Sequence, residues 1–195
     1  MDMQGSRQLA ITQQQAWTAL NDPTVLKTCI PGCDKVEPTG ENQYAIGMAL
    51  KIGPVSAKFS GKITLTDIKP PESYKLLFEG QGGPAGFGKG SAAVKLTPNA
   101  DGCDLSYTAN ATVGGKIAQL GQRLVDGAAK SVAEDFFKRF DHEMQRQHPD
   151  AYAAKMVMGD VSTEPGDLGT RKIIPIWVWA VGAVVVAVAA YLSMR

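Results

Sequence analysis

This sequence lacks a large excess of charge of either sign, a cysteine framework and a cationic leader. The formal net charge is +1, with lysine and arginine dispersed among aspartate and glutamate, so no basic field would attract a nucleic-acid backbone. Three cysteines are too few, and odd in number, for a secreted disulfide scaffold. The N-terminus, MDMQGSRQLAITQQQAW, has no cationic segment followed by an apolar run. These absences exclude nucleic acid as a partner and predict a domain that stays in the cytoplasm.

Spacings typical of metal sites and catalytic centres are missing as well. His142 and His148 share no helix face, and neither has a nucleophile nearby in sequence. Cys29 and Cys33 flank a Pro-Gly turn, but no second Cys or His pair is placed to complete a zinc site. The carboxylates are dispersed, with no pair in an apolar context that would raise one pKa. We therefore expect a protein that binds no metal and is not an enzyme. One alternative stays open, catalysis by a single Asp or Tyr in a pocket.

The glycine-rich tract from Gly80 to Gly90 contains the skeleton of a phosphate-binding loop. The pattern G-x-x-x-x-G-K runs from Gly83 to Lys89, but Gly90 stands where such a loop carries Ser or Thr. A strand pattern follows, where the N-terminus of a helix is needed. The tract therefore predicts a connection between strands, which could gate the mouth of a pocket.

The C-terminal end has a long uncharged run. From Ile173 to Met194 the sequence has 22 residues without a charge, and a helix of that length would span about 33 Å, enough for the hydrocarbon core. Trp177, Trp179 and Tyr191 lie near its ends, as interfacial aromatics would. We expect a single-pass transmembrane anchor over residues 173–194 that holds the N-terminal domain on the cytoplasmic face of the cytoplasmic membrane.

Two further segments precede this anchor. Residues 149–172 are rich in Gly, Pro, Ser, Thr and Asp without periodicity, which predicts a flexible linker. Residues 1–148 show the order β-α-α-β6-α. Thr12 and Gln15 form a capping box that opens the first helix, and Pro23 opens the second. The pattern predicts an α+β domain with a curved antiparallel sheet around a long C-terminal helix.

The inward face of this sheet is rich in small residues. Alternation along Val55 to Leu65, Gly88 to Leu96 and Leu105 to Val113 places Gly and Ala at many inward positions. Two interpretations remain open on this evidence. Small residues either let the helix approach the sheet closely or leave a cavity for an apolar ligand.

Several motifs resemble one known family. Leu26 through Cys33, which contains CIPGC, then Tyr44, Val55, Phe59 to Lys62 and the G-x-G-x-A-x-V stretch from Gly88 to Val94 occur in the family's order. They resemble the CoxG-like family of carbon monoxide dehydrogenase subunits, which is part of the helix-grip, START/Bet v 1-like (SRPBCC) superfamily. The likeness covers residues 1–147.

The resemblance implies a function. It implies a non-catalytic subunit that recruits a molybdenum hydroxylase of the carbon monoxide dehydrogenase type to the membrane. It further implies a respiratory quinone, menaquinone or ubiquinone, held without covalent attachment and used for electron transfer. The alternatives are a carrier of lipids or hydrophobic metabolites and a cyclase-like or hydrolase-like enzyme on the same fold.

On this hypothesis, apolar side chains on the sheet, the short helices and the long helix form the pocket. Tyr107 is the expected polar contact to a ligand carbonyl. Cys29 and Ile30 are expected at the pocket mouth as small apolar groups. The expected ligand-binding residues are Trp17, Leu26, Ile30, Phe59, Phe78, Phe87, Tyr107, Leu120 and Leu124.

Overall fold

The computed structural model describes residues 1–153, and its elements follow the order predicted from the sequence. The elements, in chain order, are β1 (Asp2–Leu9), α1 (Gln13–Leu20), α2 (Pro23–Cys29), β2 (Cys33–Gly40), β3 (Gln43–Ile52), β4 (Val55–Lys69), β5 (Ser73–Gln81), β6 (Phe87–Asn99), β7 (Gly102–Gly114), α3 (Lys116–Gln119) and α4 (Gln122–Gln147). A short 3₁₀ helix, Gly83–Ala85, lies between β5 and β6. The α+β prediction is confirmed.

The strands form one curved, seven-stranded antiparallel sheet. Its order is β1-β7-β6-β5-β4-β3-β2, so β2 to β7 are a meander and β1 closes against β7. The pairing of β1 with β7 runs from Asp2 opposite Asn110 to Leu9 opposite Cys103. Burial alternates along β4, β6 and β7 as the sequence predicts, and this gives the sheet one apolar inner face.

The two short helices begin at the capping residues seen in the sequence. The Thr12 hydroxyl accepts from the Gln15 N–H at 3.3 Å, and the Gln15 side chain accepts from the Thr12 N–H at 2.9 Å, which is a capping box. Pro23 occupies the first turn of α2, where the Asp22 carboxylate accepts from the Thr24 N–H at 2.7 Å. These caps fix where α1 and α2 cover the sheet.

The packed core lies where α1, α2 and the C-terminal part of α4 meet β1, β6 and β7. Its members are apolar and almost fully shielded from solvent. They are Leu9, Ile11, Ala16, Ala19, Leu20, Val25, Cys29, Leu96, Cys103, Leu105, Phe140 and Met144. The core occupies this end of the sheet. The candidate site lies over the centre of the sheet, beside the turns of α4 that precede Phe140.

The long helix differs from the prediction in two respects. It is interrupted at Leu120 and Gly121, where Gly121 has a φ of +87°, so α3 and α4 are separate helices. Its buried face in the first turns includes Val125, whereas Leu124 is 53% exposed. The sequence predicted this face from apolar residues four apart: Leu120, Leu124, Ala128, Val132, Phe136 and Phe140. Four residues turn about 400°, so such a series drifts about 40° around the helix axis at each step. Relative to Val132, Leu124 is eight residues back and lies about 80° around the helix. Val125 is seven residues back and lies only about 20° away, so it shares the face of Val132.

The predicted linker begins later than expected. Residues 149–153 are helical, and Ala151 and Tyr152 pack against the core, so the packed chain extends four residues past His148. The Tyr152 hydroxyl donates to the Asp141 carboxylate at 2.6 Å. Within residues 1–153, no helix is long and apolar enough to span a bilayer. The rest of the predicted linker and the predicted anchor at 173–194 lie outside the described residues.

Candidate ligand-binding site

A cavity of about 340 Å³ lies between the inner face of the sheet and α4, and it is bordered by α2 and the turn that follows α2. Its lining comes from six neighbouring strands, β2 to β7, from the three longer helices and from two connections, and none of the lining side chains is charged. The lining residues are Leu20, Asn21, Leu26, Ile30, Pro31, Val36, Tyr44, Ile46, Ile63, Leu65, Tyr74, Leu76, Ala92, Val94, Leu105, Tyr107, Ala129, Val132, Ala133, Phe136 and Phe137. An uncharged, largely apolar wall suits a neutral hydrophobic ligand.

The turn after α2 shapes one side of the cavity. The Ile30 N–H donates to the Leu26 carbonyl at 2.9 Å and ends the helix, so Leu26, Ile30 and Pro31 all border the cavity. Gly32 follows with a φ of +71°, and its carbonyl accepts from the Ala49 N–H at 2.8 Å. A Cβ at this position would collide with the Ala49 carbonyl, so glycine is required for the chain to pass this close to β3.

Small and aromatic residues alternate on the α4 wall. Ala129 and Ala133 leave space opposite Ala92 of the sheet. Beside them, Phe136 and Phe137 pack edge to face with their ring centroids 5.2 Å apart. Phe137 also stacks on Tyr107, with 5.5 Å between the centroids. The alanines therefore make the void, and the aromatic pair closes it toward the core.

Four polar side chains reach the cavity wall: Asn21, Tyr44, Tyr74 and Tyr107. The Asn21 side-chain N–H donates to the Trp17 carbonyl at 2.8 Å. The Tyr107 ring lies over Gly5 of β1, so that a Cβ built on Gly5 would be 2.7 Å from the Tyr107 hydroxyl oxygen. Burial, and secondarily the nearby Tyr44 phenol, raises the pKa of Tyr74 well above its ordinary value, which keeps this phenol protonated.

The structure brings three of the nine predicted ligand residues to the cavity: Leu26, Ile30 and Tyr107. Trp17 lies one layer behind, edge to face with Tyr74 at 5.5 Å between ring centroids. Whether the three contact a ligand stays a prediction.

Three predicted aromatic residues cover glycines instead of lining the cavity. Phe59 lies against Gly82, and Phe78 lies over Gly90 on the inner face of the sheet. Phe87 covers Gly114 on the outer face, because odd positions of β6 point away from the cavity, and it is 45% exposed. Long-range pairing of strands, which the sequence does not reveal, decides these positions.

The two predicted residues of the long helix also lie outside the cavity lining. Leu120 is half-buried at the break before Gly121, and Leu124 points to solvent. The periodicity prediction was wrong here because it followed one residue in four without correcting for the helical drift.

Sequence reasoning missed Tyr44 and Tyr74 as wall residues, together with Ala129, Ala133 and Phe137. Alternation along β5 puts Tyr74 on the same face as Phe78, so the pattern could have found it. Tyr44 was noted as part of the family motif without a structural role.

The cysteines have a structural position. All three are free, and Cys29 is fully buried in the core cluster and does not lie at the cavity mouth as expected. Burial raises the pKa of the Cys29 thiol to about 11, so it stays protonated at neutral pH. Cys33 is half-buried, and its thiol donates to the Lys35 carbonyl at 3.3 Å. Neither has the environment of a reactive thiolate.

The remaining motifs agree with their structural interpretations, with one change. The glycine-rich tract forms a 3₁₀ turn and then enters β6, so it presents no helix N-terminus to a phosphate. His142 is exposed, as expected of a surface residue, but His148 is half-buried and its Nδ1 lies 3.2 Å from the Gln15 side-chain nitrogen. In the described part of the chain, no three His, Cys, Asp or Glu side chains are grouped to hold a metal.

Comparison with known proteins adds the following. The family model for CoxG, a carbon monoxide dehydrogenase subunit, matches residues 5–145, and comparison with curated proteins gives no match. A solved structure, a conserved protein from Geobacillus kaustophilus, is 42% identical over 76% of this chain and 97% of that chain, with a TM-score of 0.71.

More distant solved structures share the fold. Protein Ms6760 from Mycobacterium smegmatis is 17% identical over 75% of this chain and 92% of that chain, with a TM-score of 0.58. The Zhui aromatase/cyclase from Streptomyces sp. R1128 is 10% identical over 75% of this chain and 94% of that chain, with a TM-score of 0.57. The match of the family model to residues 5–145, more than half of the sequence, decides the assignment: this chain belongs to the CoxG family of carbon monoxide dehydrogenase subunits.

Proposed function

We propose that this chain is a non-catalytic, membrane-anchored subunit that binds a respiratory quinone, menaquinone or ubiquinone. In this proposal it brings a molybdenum hydroxylase of the carbon monoxide dehydrogenase type to the cytoplasmic membrane. The quinone takes electrons from the hydroxylase and protons from water, and it leaves as the quinol. The observation that carries the proposal is the uncharged cavity between the sheet and α4.

The shape of the cavity favours a flat ring over a bulky ligand. Ala92 on the sheet and Ala129 and Ala133 on α4 give the void its width, and aromatic rings border one end. Its volume of about 340 Å³ is at the lower end of ordinary ligand pockets, which range from about 300 to 1,000 Å³. A quinone ring and the first part of its isoprenoid chain match this volume, and the remaining chain extends through the opening.

The sequence supports the membrane part of the proposal. A quinone is dissolved in the bilayer, so a domain that exchanges it must work at the membrane surface. The 22 uncharged residues from Ile173 to Met194 supply a segment of sufficient length to span the bilayer. The linker predicted before them gives the domain freedom to reach both the bilayer and a soluble hydroxylase.

The test measures quinone that copurifies with the full chain in two variants of adjacent residues. Ala92 points into the cavity, and its neighbour Ala93 points outward between Lys75 and Thr108. Ala92→Leu fills the void, so we expect about a tenfold loss of quinone, since inserting methylene groups into occupied space costs about 1–3 kcal/mol. Ala93→Leu adds the same atoms outside the cavity and should retain the quinone of the unaltered chain.

Solvent extraction followed by mass spectrometry gives the quinone content per chain. Phospholipid in place of quinone, lost in the same variant, would favour the lipid-carrier alternative. If the unaltered chain carries neither, or if both leucine variants carry equal quinone, the proposal is contradicted.

A further inference from the structure

Two phenols line the cavity on strands that do not neighbour each other. Tyr44 is on β3 and Tyr74 is on β5, and both border the void. Tyr74 is only 6% exposed, and the edge-to-face contact with Trp17 fixes its ring. Both side chains line the same cavity, and only β4 separates their strands in the sheet. The Tyr44 phenol also contributes, after burial, to the raised pKa of Tyr74.

Neither phenol has a hydrogen-bond partner among residues 1–153. In this part of the chain, every fully shielded polar side-chain atom has a partner, so the two hydroxyl oxygens border open space. The Tyr74 side chain lies on the inner face with Leu76, and the open space on that face is the cavity. A hydroxyl that borders the cavity and has no protein partner is free to donate, so these groups fit a ligand that supplies an acceptor.

The other polar groups of the wall are less suited to this role. The Asn21 side-chain N–H is already bound to the Trp17 carbonyl, and the Tyr107 hydroxyl lies over Gly5. No lining residue carries a charge, so a carboxylate or phosphate would be buried without a counter-charge. The acceptor that suits this site is therefore a neutral oxygen.

We infer that Tyr74, together with Tyr44, determines the specificity of the cavity by donating hydrogen bonds to a neutral carbonyl oxygen of the ligand. The pair selects a ring that bears a ketone oxygen over a hydrocarbon of the same shape. This inference rests on the proposed function, because it requires a ligand in the cavity, and it adds the chemical group that is recognised. A site built around hydrogen-bond donors rejects analogues that lack the acceptor.

The test compares two probes of matched shape, duroquinone and durene. Both are tetramethylated six-membered rings, but durene lacks the carbonyl oxygens, and duroquinone has no open ring carbon for addition of a cysteine thiol. Binding to the full-length protein in detergent micelles is measured by equilibrium dialysis, with protein-free micelles as the blank. The unaltered chain should prefer duroquinone by about tenfold, the upper range for hydrogen bonds between neutral groups.

Tyr74→Phe should abolish most of this preference and leave durene binding unchanged, which also shows that the variant is folded. Tyr44→Phe should reduce the preference in the same direction. Tyr152→Phe is the matched control, because it removes a phenol that binds Asp141 outside the cavity, and it should keep the full preference.

The outcomes separate this inference from the proposed function. Equal binding of the two probes by the unaltered chain, or a full preference retained in Tyr74→Phe, overturns the inference. The proposed function would survive either result, because the cavity would still bind an apolar ring. If the unaltered chain binds neither probe, the proposed function fails and the inference fails with it.

Discussion

At the scale of single residues, aromatic rings fill the space that glycines leave on the inner face of the sheet. Tyr107 lies over Gly5, Phe78 over Gly90 and Phe59 against Gly82. Each ring and its glycine belong to different strands or connections, so the ring can lie flat where a Cβ would collide. The glycines are therefore filled positions, and alanines such as Ala92 and Ala133 create the cavity.

The two cysteines of the CIPGC motif give a prediction at this scale. Cys29 is in the apolar core, so Cys29→Ser should lower the free energy of unfolding by about 1–3 kcal/mol, because a hydroxyl is buried among apolar groups. Cys33 is half-buried beside the Lys35 carbonyl, and Cys33→Ser should change it by less than about 0.5 kcal/mol. Urea unfolding of each variant measures the difference.

Quinone content should be unchanged in both serine variants as long as they are folded. Loss of quinone from a folded double variant would show that these cysteines have a chemical role after all.

Residue roles were only partly predictable from the sequence. Alternation correctly placed Tyr107 and Ala92 on the inner face, because strand geometry has a strict period of two. It could not show that Tyr107 turns toward Gly5, since this depends on the pairing of β1 with β7 across about one hundred residues. For the same reason the polar contact that we propose is with Tyr74 and Tyr44, in place of Tyr107.

At the scale of elements, the break between α3 and α4 depends on one glycine. Gly121 has a φ of +87°, and although no atom lies within 4 Å of a Cβ built there, the backbone conformation strains any other residue. Gly127 is within α4, has ordinary helical backbone and also has free space around it. Both positions therefore have room for a Cβ, but only Gly121 has a backbone conformation that requires glycine.

This contrast predicts opposite effects of one substitution. Gly121→Ala should lower the free energy of unfolding by about 1–2 kcal/mol through backbone strain. Gly127→Ala should raise it by about 0.5–1 kcal/mol, because alanine loses less conformational entropy in a helix. Thermal or urea unfolding checks both, and stabilisation by Gly121→Ala would mean that α3 and α4 can join into one helix.

Element boundaries were more predictable than the helix face. The capping box at Thr12 and Pro23 at the start of α2 correspond to observed helix starts, because each acts through local backbone chemistry. The buried face of α4 depends on the sheet that it crosses. The prediction placed Leu124 on the buried face, but its neighbour Val125 is buried and Leu124 is exposed to solvent.

At the scale of the whole molecule, separate parts of the sequence have separate proposed roles. The domain supplies a cavity, and the uncharged C-terminal run supplies the proposed attachment to the membrane. The core of residues 1–153 is built by α1, α2 and the end of α4, and its buried members lie between Leu9 and Met144, before the predicted linker and anchor. A chain that ends near Gly169 should therefore keep the fold and the ligand site but no longer bind to the membrane.

The most direct measurement incubates the full chain and the chain ending near Gly169 with liposomes that contain quinone, followed by flotation and extraction of each fraction. We expect the full chain to float with the liposomes. The shortened chain should stay in solution and carry quinone, approaching one molecule per chain, while its Ala92→Leu variant carries about tenfold less. Shortened protein that takes up no more quinone than this variant would contradict the proposed role of the cavity.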